Sequence, residues 1–304
     1  MEIIKRIRQV LRRLFEKYFY LLIAEREKAE LRHKVLTLPI THEYPFDPEQ
    51  KLLRSIGIES PMLDIGANTG IYSATFEDIV GSENLFIFEP LPHLQRHLRQ
   101  KFKKSHVFDF AISDKEGTQR IRVPYIKGKR CDTRATFNSH SELNQTGFDE
   151  IEVNFFSLDS VVKELQLESI GFIKIDVEGH ELQVIDGGIE TFTRFKPLIL
   201  IEIESRHHPF PISNIFSKFE DIGYAGYYID PQTYKLLKVA QFDNDRDQDL
   251  ENLTSRNFIC YLNNFFFVHE TSENDFVTKA VAFLDSEKRC VEHVASADTR
   301  IAHR

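Results

Sequence analysis

The sequence predicts an α/β fold in which helices cover both faces of one mostly parallel sheet. From about residue 50, short apolar runs that suit buried strands alternate with segments that have the apolar periodicity of helices. The run LILIEI is apolar enough for a strand that is buried on both faces, as strands of parallel sheets are. The 304 residues, 41% of them hydrophobic, can bury one substantial core. We therefore expect one doubly wound domain with a helical extension at its N-terminus.

The N-terminal extension, residues 1–48, is expected to be an amphipathic helix followed by a linker. Apolar side chains recur there at steps of three and four residues, and basic side chains dominate the opposite face. This pattern fits a helix packed on its own domain or on a second subunit of a homodimer. It equally fits peripheral contact of residues 1–30 with an anionic membrane surface. Pro39, Pro45 and Pro48 interrupt the helical pattern.

The main domain is expected to cover residues 49–271. Its parallel strands are predicted in PMLDIG, LFIFEP, HVFDFAIS, FIKID and PLILIEIE, and its helices in IYSATFEDIV, HLQRHLRQKFKK and ISNIFSKFEDIG. The segments YAGYYID and NFICYLNNFFFVH are expected to form an antiparallel hairpin that closes the sheet. Residues 124–150 show no clean period and predict a long loop that serves the acceptor. Residues 272–304 are predicted to be a C-terminal tail.

Composition narrows the function classes. The formal net charge of −8 argues against a general nucleic-acid-binding protein, because such proteins need positive potential. The three cysteines are far apart and form no CxxC pair, which favours a reducing cytoplasm over a disulfide framework. No run reaches the roughly 20 apolar residues of a membrane-spanning helix. We therefore expect a cytoplasmic protein, with peripheral contact at the inner membrane surface as the alternative location.

The stretch MLDIGANTGIYSATF predicts a cofactor-binding turn between a strand and a helix. Gly66 and Gly70 permit positive φ and a close backbone approach, and Asn68 between them tolerates the left-handed region. Glu89 follows at the end of the next strand, where an acid can accept hydrogen bonds from both hydroxyls of a ribose. The pattern indicates a cofactor that contains a nucleoside, although a tight turn without a ligand would have a similar sequence.

Two nucleoside cofactors compete for this turn. The spacing GANTG differs from the GxGxxG that seats the diphosphate of NAD on a helix N-terminus. Asp64, at the tip of the first strand, would also repel a diphosphate. A ligand that carries an ammonium and a sulfonium suits an acidic pocket better, which favours S-adenosylmethionine. An NAD-dependent oxidoreductase remains the alternative enzyme class.

The motifs DIGANTG, FIFEPLP, FDFAISDKEG, FIKIDVEGHELQVIDGG and LILIEIE occur in one order. In this order they resemble the FkbM-type methyltransferases over roughly residues 50 to 270. The resemblance implies a class I, Rossmann-like fold that depends on S-adenosylmethionine. It also implies O-methylation, typically of hydroxyls on sugars or secondary metabolites, and thus a small-molecule or saccharide acceptor.

The resemblance also implies roles for particular residues in holding the cofactor. The methionine part would be surrounded by the turn from Asp64 to Gly70, with Gly66, Ala67 and Asn68 between them. Glu89 would hold the ribose, and the adenine pocket would form at Asp109, Ala111 and Ile112.

Acidic residues at two later strand ends are the catalytic candidates. Methyl transfer to an alcohol requires alignment and a positioned base, and such chemistry lies at the carboxyl ends of parallel strands. Asp176 ends the strand FIKID and is predicted to be the base or to hold the cofactor's amino group. Glu202 ends the next strand, and His180 begins a helix whose N-terminus favours a neutral imidazole. Glu178 is expected to contact the acceptor or to cap that helix.

Three further alternatives stay open. Asp176, Glu178, His180 and Glu202 are compatible with Mg²⁺ or Mn²⁺, but their spacing is no metal signature, so we expect no metal. The cations Lys127, Lys129, Arg130 and Arg134 form either a solvated face or a site for an anionic acceptor, and we expect Arg130 and Arg134 to bind the acceptor. A non-enzymatic protein that binds a glycan or membrane surface through a degenerate methyltransferase fold is the last alternative.

Overall fold

The computed structural model describes residues 24–37, 48–138, 142, 144–254 and 261–302 of the chain. Its helices are α1 (residues 24–37), α2 (Pro48–Ile56), α3 (Ile71–Val80), α4 (Pro92–Lys101), α5 (Leu158–Glu164), α6 (Glu181–Asp186), α7 (Ile189–Phe195), α8 (Ser213–Glu220), α9 (Asn244–Asp247), α10 (Leu250–Thr254) and α11 (Glu273–Ala302). Its strands are β1 (Met62–Ile65), β2 (Leu85–Phe88), β3 (His106–Phe108), β4 (Ala111–Ser113), β5 (Gly117–Ile126), β6 (Lys129–Arg130), β7 (Gln145–Ser157), β8 (Phe172–Ile175), β9 (Leu198–Glu202), β10 (Tyr224–Asp230), β11 (Lys235–Lys238) and β12 (Asn264–His269).

The main sheet has eight strands in the order β11-β10-β12-β9-β8-β1-β2-β3. Strands β1, β2, β3, β8 and β9 pair in parallel, whereas β12 pairs antiparallel with both β9 and β10. The chain builds β1, β2 and β3 outward and then returns to place β8 on the other side of β1. This change of direction opens a crevice beyond the carboxyl ends of β1 and β8, where ligands of such sheets bind. The predicted doubly wound, mostly parallel α/β fold is confirmed.

Alternating side chains fill two apolar cores, one on each face of this sheet. In β8, Ile173 and Ile175 join one core, and Phe172 joins the other. In β9, Ile199 and Ile201 face the same way as the β8 isoleucines. Helices α5 to α8 cover that first face, and α2, α3, α4 and α11 cover the second. Burial on both faces explains why these strands read as continuous apolar runs.

A second, four-stranded sheet, in the order β4-β7-β5-β6, corrects the loop predicted over residues 124–150. Strands β5 and β7 pair antiparallel and supply both ends of that region, while a 3₁₀ turn over Asp132–Arg134 lies between them. The period was not visible because few residues of β5 and β7 are buried and apolar, so the strands carry only a weak apolar pattern. The predicted strand HVFDFAIS is likewise divided, since β3 belongs to the main sheet and β4 to the second.

The C-terminal segment is a helix packed on the domain. Phe276, Ala280 and Leu284 of α11 are buried in the second core, so this part of the predicted C-terminal tail packs on the domain. The predicted antiparallel pairing of YAGYYID with NFFFVH is confirmed as β10 with β12. The two are not a simple hairpin, because β11 follows β10 in the chain and pairs on its other edge.

Helix α1 is bound to α3 by buried ion pairs. Lys28, with 1% of its side chain exposed, donates to Glu77 at 2.7 Å, and Arg32 lies 3.2 Å from Asp78. Residues 24–37 therefore belong to the domain, in line with the expectation that the helix packs on its own domain. The basic stretch at residues 1–23, on which the membrane alternative depends, lies outside the described residues. Within the described chain, none of the helices combines the length and apolarity of a membrane span.

Candidate active site

A cavity of about 670 Å³ opens at the carboxyl ends of β1, β2, β8 and β9. Its floor is the switch point between β1 and β8. The turn after β1 and the first turn of α3 form one wall, and the 3₁₀ turn of the second sheet forms another. Most of the candidate residues named from the sequence line this cavity. They are Asp64, Gly66, Ala67, Asn68, Glu89, Ala111, Ile112, Arg134, Asp176, Glu178, His180 and Glu202.

The two glycines of the turn after β1 are required by packing against other protein atoms. A Cβ on Gly66, whose φ is +81°, would lie 1.8 Å from the carbonyl oxygen of Asp176. A Cβ on Gly70, whose φ is +72°, would lie 2.6 Å from the Phe102 ring and 2.7 Å from Leu98 of α4. Gly66 thus lets β1 and β8 end side by side beneath the cavity. Gly70 lies outside the cavity lining, and the contacts that require a glycine there are with Leu98 and Phe102.

Asp64 is buried at the end of β1 and faces the start of α3. Its Oδ2 accepts hydrogen bonds from Ser73 N–H at 3.0 Å and from the Ser73 hydroxyl at 2.5 Å. Burial raises the pKa of Asp64 to about 6, although the Ser73 donors and the Lys174 ammonium oppose the shift. Asp64 is therefore an oriented acid whose charge is sensitive to what occupies the cavity.

Glu89 is buried at the end of β2 with both oxygens oriented by backbone donors. Its Oε2 accepts from Asn68 N–H and its Oε1 from Leu91 N–H, each at 2.8 Å. Burial raises the pKa of Glu89 to about 7 despite these two hydrogen bonds. Each oxygen keeps a second lone pair, so the carboxylate can still accept from two hydroxyls of a ligand. Asn68 itself adopts φ +50°, the left-handed conformation that the sequence suggested.

Two of the three residues expected at the adenine pocket line the cavity. Ala111 and Ile112 of β4 are buried and line the cavity. Asp109 lies outside the lining: its side chain is 61% exposed and pairs with Arg99 at 3.1 Å. Asp109 is separated from Ala111 and Ile112 because β3 ends at Phe108 and the chain leaves the cavity before β4 returns to it.

Asp176 and Glu202 lie at neighbouring strand ends, as predicted. Asp176 follows β8 directly, and its N–H donates to the carbonyl of Ile65 at 2.9 Å. Glu202 ends β9, and Asn263 donates to its Oε1 at 2.7 Å. Both side chains line the cavity. Among the described residues, no three His, Cys, Asp or Glu side chains are grouped so as to hold a metal ion.

His180 is a buried side chain at the side of the cavity formed by β4. Its Nε2 lies 2.9 Å from the Ser113 hydroxyl, and its ring centroid lies 4.7 Å from that of Phe137. Burial lowers the pKa of His180 to about 4, so the imidazole is neutral at physiological pH. Because Ser113 follows Ala111 and Ile112, this contact directs His180 toward the expected adenine side and away from Glu202.

Glu178 and Glu181 have different environments in the turn between β8 and α6. Glu178 adopts φ +49° and lies 3.5 Å from His207. Burial raises the pKa of Glu178 well above its ordinary value, and the neighbouring charge of Asp176 adds to the shift. Glu181 accepts from Gly179 N–H at 2.9 Å and lies 3.0 Å from His208. Glu178 faces the cavity, whereas Glu181 holds the turn itself.

The two arginines that were expected to bind the acceptor are already paired with carboxylates. Arg130 contacts Asp132 at 2.7 Å and Asp149 at 3.0 Å and lies outside the cavity lining. Arg134 lines the cavity and contacts the buried Glu142 at 2.9 Å. The expected placement of Arg130 beside the acceptor is therefore not observed. Arg134 keeps its position at the cavity, with its charge balanced inside the protein.

Arg206 was missed by sequence reasoning, although it lines the cavity. Its guanidinium contacts both Glu204 and Glu142, and Tyr261 donates to Glu204 at 2.9 Å. Burial opposes ionisation of Glu204, but the Arg206 contact lowers the pKa of Glu204 below its ordinary value. No signal distinguished Arg206 in the sequence, because it follows β9 in a turn without a motif.

Lys174 was also missed, although its signal was visible in the sequence. It is a single lysine inside the apolar strand FIKID, its side chain is 1% exposed, and it lines the cavity. Lysine is almost never fully buried unless it is paired, so a lysine within a buried apolar strand is a signal of its own.

The described lining is predominantly acidic, which fits a cationic ligand. Its acids are Asp64, Glu89, Asp132, Asp176, Glu178, Glu202 and Glu204, and its strong bases are Lys174, Arg134 and Arg206. S-adenosylmethionine carries an ammonium and a sulfonium, both of which this lining favours. Its ribose matches the pair of acceptor oxygens that Glu89 presents, and its adenine matches the apolar surface of Ala111 and Ile112. The residues present therefore fit this cofactor.

Comparison with known proteins bears on the same region of the chain. The 2-O-methyltransferase NoeI of Sinorhizobium fredii is 34% identical over 143 residues. That match covers 44% of this chain and 59% of the relative, so this chain spans well under two thirds of the relative's length.

Among solved structures, a methyltransferase FkbM from Methylobacillus flagellatus has 16% identity and a TM-score of 0.42, over 69% of this chain and 43% of that one. A precorrin-6y C5,15-methyltransferase from Geobacter metallireducens has 14% identity and a TM-score of 0.32, over 66% and 71% of the two chains. The family model described as the methyltransferase FkbM domain matches residues 64–225, which is more than half of the 304 residues. The chain therefore belongs to the FkbM methyltransferase domain family.

Proposed function

We propose that the protein is an S-adenosylmethionine-dependent O-methyltransferase that acts on a hydroxyl of a sugar, a glycan or a related metabolite. The observation that carries the cofactor assignment is the Glu89 carboxylate, which two backbone N–H groups orient at the end of β2. The name of the relative NoeI, a 2-O-methyltransferase, supports oxygen as the methyl acceptor.

Different residues along the cavity bind different parts of the cofactor. S-adenosylmethionine, when bound, supplies a methyl group that is already activated, so the protein provides mainly alignment and proton transfer. Glu89 holds the ribose hydroxyls, and Ala111 and Ile112 pack on the adenine. Asp64 stabilises the positive charge of the cofactor. Its own fixed Ser73 donors keep the carboxylate oriented before the ligand arrives.

The acceptor is expected beyond Asp176, over the ends of β8 and β9. Asp176 accepts the hydroxyl proton there, and Glu202 lies at the next strand end to orient the acceptor. The low pKa of His180 leaves it neutral but makes it a weak base, and its Nε2 already contacts Ser113. Of the two predicted bases on this segment, Asp176 is therefore preferred over His180.

The acidic lining also favours an uncharged acceptor over an anionic one. Arg134 and Arg206 line the cavity but are both balanced by buried carboxylates, chiefly Glu142. A phosphorylated sugar would face the seven acids of the described lining with Lys174 as the one strong base there that forms no ion pair. Neutral polyhydroxylated sugars fit this balance of charges.

A turnover assay with methyl glycosides tests the proposed activity. Release of S-adenosylhomocysteine is measured with neutral hexosides, 6-deoxyhexosides and pentosides, and in parallel with hexose phosphates. The proposal expects turnover with at least one neutral glycoside, poorer turnover with the phosphates, and no loss after exhaustive chelation of metals. Turnover on amines or carbon acids alone would contradict O-methylation, and loss of activity on chelation would contradict a metal-free site.

The location and partners of the protein belong to the same proposal. A cytoplasmic enzyme, either free or in peripheral contact with the inner membrane surface through its basic N-terminal stretch, fits the composition of the chain. A homodimer through that stretch is the alternative, and sedimentation of the protein with and without liposomes separates the two.

A further inference from the structure

Lys174 differs from every other strong base of the described cavity lining in its partners. Arg134 and Arg206 each contact a carboxylate, whereas Lys174 forms no ion pair with any residue that the structure describes. Its ammonium donates to Asn264 Oδ1 at 3.2 Å and to the Ile175 carbonyl at 3.4 Å, and it lies 5.0 Å from the centre of the Tyr72 ring. These are long contacts for a group with three strong donors.

The burial of Lys174 is costly for the fold. A buried ammonium loses its hydration, and an amide, a carbonyl and a ring face replace that hydration incompletely. A methionine of the same length would fill this space without that cost. The presence of a lysine inside an otherwise apolar strand therefore points to a ligand that meets the ammonium.

The direction of the Lys174 side chain indicates which ligand this is. Alternation along β8 puts Lys174 on the same face as Phe172, the face that α2 and α3 cover. Its amino group reaches Asn264, the first residue of β12, which pairs in register with Glu202 of β9. The ammonium therefore extends over the end of β9, on the side of Glu202 where the acceptor is expected. Its charge still acts on Asp64, the β1 residue that pairs with Lys174 in register.

We propose that the Lys174 ammonium binds the acceptor's hydroxyl oxygen and stabilises the negative charge that develops on it, and this inference rests on the proposed O-methyltransferase function. The hydroxyl proton passes to the Asp176 carboxylate. The oxygen forms its bond to the methyl group, and the electron pair of the broken carbon–sulfur bond stays on sulfur. Lys174 keeps its proton throughout and donates a hydrogen bond that is stronger to the developing alkoxide than to the neutral hydroxyl.

The control for this proposal is a second buried lysine. Lys28 is also 1% exposed, but it pairs with Glu77 at 2.7 Å and lies outside the cavity lining. Lys28→Met leaves the buried Glu77 carboxylate without its closest cation, so the protein should lose stability. Lys174→Met removes a buried charge that forms no ion pair with the described residues, although it attracts Asp64. The desolvation cost that is relieved opposes the lost attraction, so the protein should be equally or more stable.

The experiment compares the full-length wild type, Lys174→Met and Lys28→Met in three measurements. These are the midpoint of thermal unfolding, the dissociation constant for S-adenosylmethionine, and kcat on the neutral methyl glycoside that the wild type turns over best. For Lys174→Met we expect an unchanged or higher midpoint, a kcat reduced about 100-fold, and a cofactor affinity that changes far less than kcat, since Asp64 loses only a neighbouring charge. For Lys28→Met we expect a lower midpoint and a normal kcat for the folded protein.

Three results would overturn the proposal. A normal kcat for Lys174→Met contradicts any contact with the reacting oxygen. A lower midpoint with kcat unchanged would make Lys174 a structural residue, and a weakened cofactor affinity with normal kcat would place its ligand on the cofactor. A wild type that binds S-adenosylmethionine but methylates no glycoside contradicts the proposed function, which distinguishes that failure from a failure of the role of Lys174.

Discussion

The carbonyl oxygen of Asp176 occupies the space that a side chain on Gly66 would need. A Cβ at Gly66 would lie 1.8 Å from that oxygen, and the Asp176 N–H donates to Ile65 beside it. The ends of β1 and β8 are therefore in direct backbone contact, and this contact fixes the distance between the cofactor turn and the candidate catalytic acid. The GANTG turn and the FIKID motif are thus two parts of one local structure.

Replacing Gly66 with alanine should reduce the stability of the fold far more than replacing another glycine that has the same backbone conformation. Gly66→Ala must push β1 and β8 apart, and we expect a loss of about 3 kcal/mol or more in the free energy of unfolding. Gly57 has φ +80° but open space around it, so Gly57→Ala should cost only about 1 kcal/mol. Denaturant unfolding of both variants measures the difference, and equal losses would contradict the contact.

Cofactor affinity should fall as the pH is lowered from about 8 to 5.5. The pKa of Glu89 is about 7 and that of Asp64 about 6, so both carboxylates gain protons in this range. A protonated Glu89 is a weaker acceptor for the ribose, and a protonated Asp64 no longer attracts a cation. Isothermal titration across this range should show weaker binding at low pH, and pH-independent binding would remove both residues from the cofactor site.

The same raised pKa values have the opposite effect on the stability of the ligand-free protein. The folded pKa of Glu89 lies above its ordinary value of 4.5, so between pH 4.5 and about 7 the folded protein binds more protons there than the unfolded chain does. This group therefore makes the ligand-free protein less stable as the pH rises through that window. S-adenosylmethionine should raise the unfolding midpoint more at pH 8 than at pH 5.5.

Asp176→Asn should abolish turnover while the fold remains intact. Loss of a positioned base costs about 100-fold or more in rate, and asparagine preserves the shape of the side chain. Asp186→Asn is the matched control, since Asp186 is an exposed acid of α6 that pairs with Lys218 on the surface. Initial rates and thermal unfolding of both variants provide the test. Near-normal turnover by Asp176→Asn would overturn the assignment of the base.

Arg206→Met should destabilise the protein although it removes only one side chain. It leaves Glu204 and Glu142, both buried, without a guanidinium they share, at a cost of about 3 kcal/mol in the free energy of unfolding. Lys218→Met breaks an exposed pair with Asp186 and should cost less than about 1 kcal/mol. Comparable losses in the two variants would mean that the Arg206 contacts do not hold the cavity wall.

Removal of residues 1–23 should separate membrane binding from folding. Lys28 and Arg32 bind α1 to α3, so a chain that begins at residue 24 keeps these contacts, whereas one that begins at residue 36 loses them. If the basic stretch binds anionic membranes, only the full-length protein should sediment with anionic liposomes. If the full-length protein and the chain that begins at residue 24 bind liposomes equally, or if neither binds, the membrane proposal is contradicted.

The parallel part of the fold was predictable because each of its strands is an apolar run that can be recognised in the sequence. The apolar runs ending in Asp64, Glu89, Asp176 and Glu202 are buried on both faces, and their terminal acids meet at one edge of the sheet. The second sheet was not predictable in the same way. Most residues of its long strands β5 and β7 are polar or only partly buried, so the residues that pair them resemble a loop in sequence.

Contacts between distant segments account for the parts of the site that the sequence missed. Asp109 was placed at the adenine pocket because it is near Ala111, but the chain turns outward at the end of β3. Arg206 becomes important only because Glu142, which precedes β7 in the chain, contacts its guanidinium. Lys174 was visible in the sequence as a charge in an apolar strand. The role proposed for it depends on its forming no ion pair with the described residues, and the spacing of the sequence does not reveal this.

The most direct test of the account is an isothermal titration of the wild type with S-adenosylmethionine and, separately, with NAD. The acid-lined cavity at the end of β1 and the Glu89 carboxylate at the end of β2 predict one S-adenosylmethionine bound per chain, with the affinity reduced in Glu89→Gln, and no heat from NAD. Binding of NAD, or S-adenosylmethionine affinity that is unchanged by Glu89→Gln, would contradict the account.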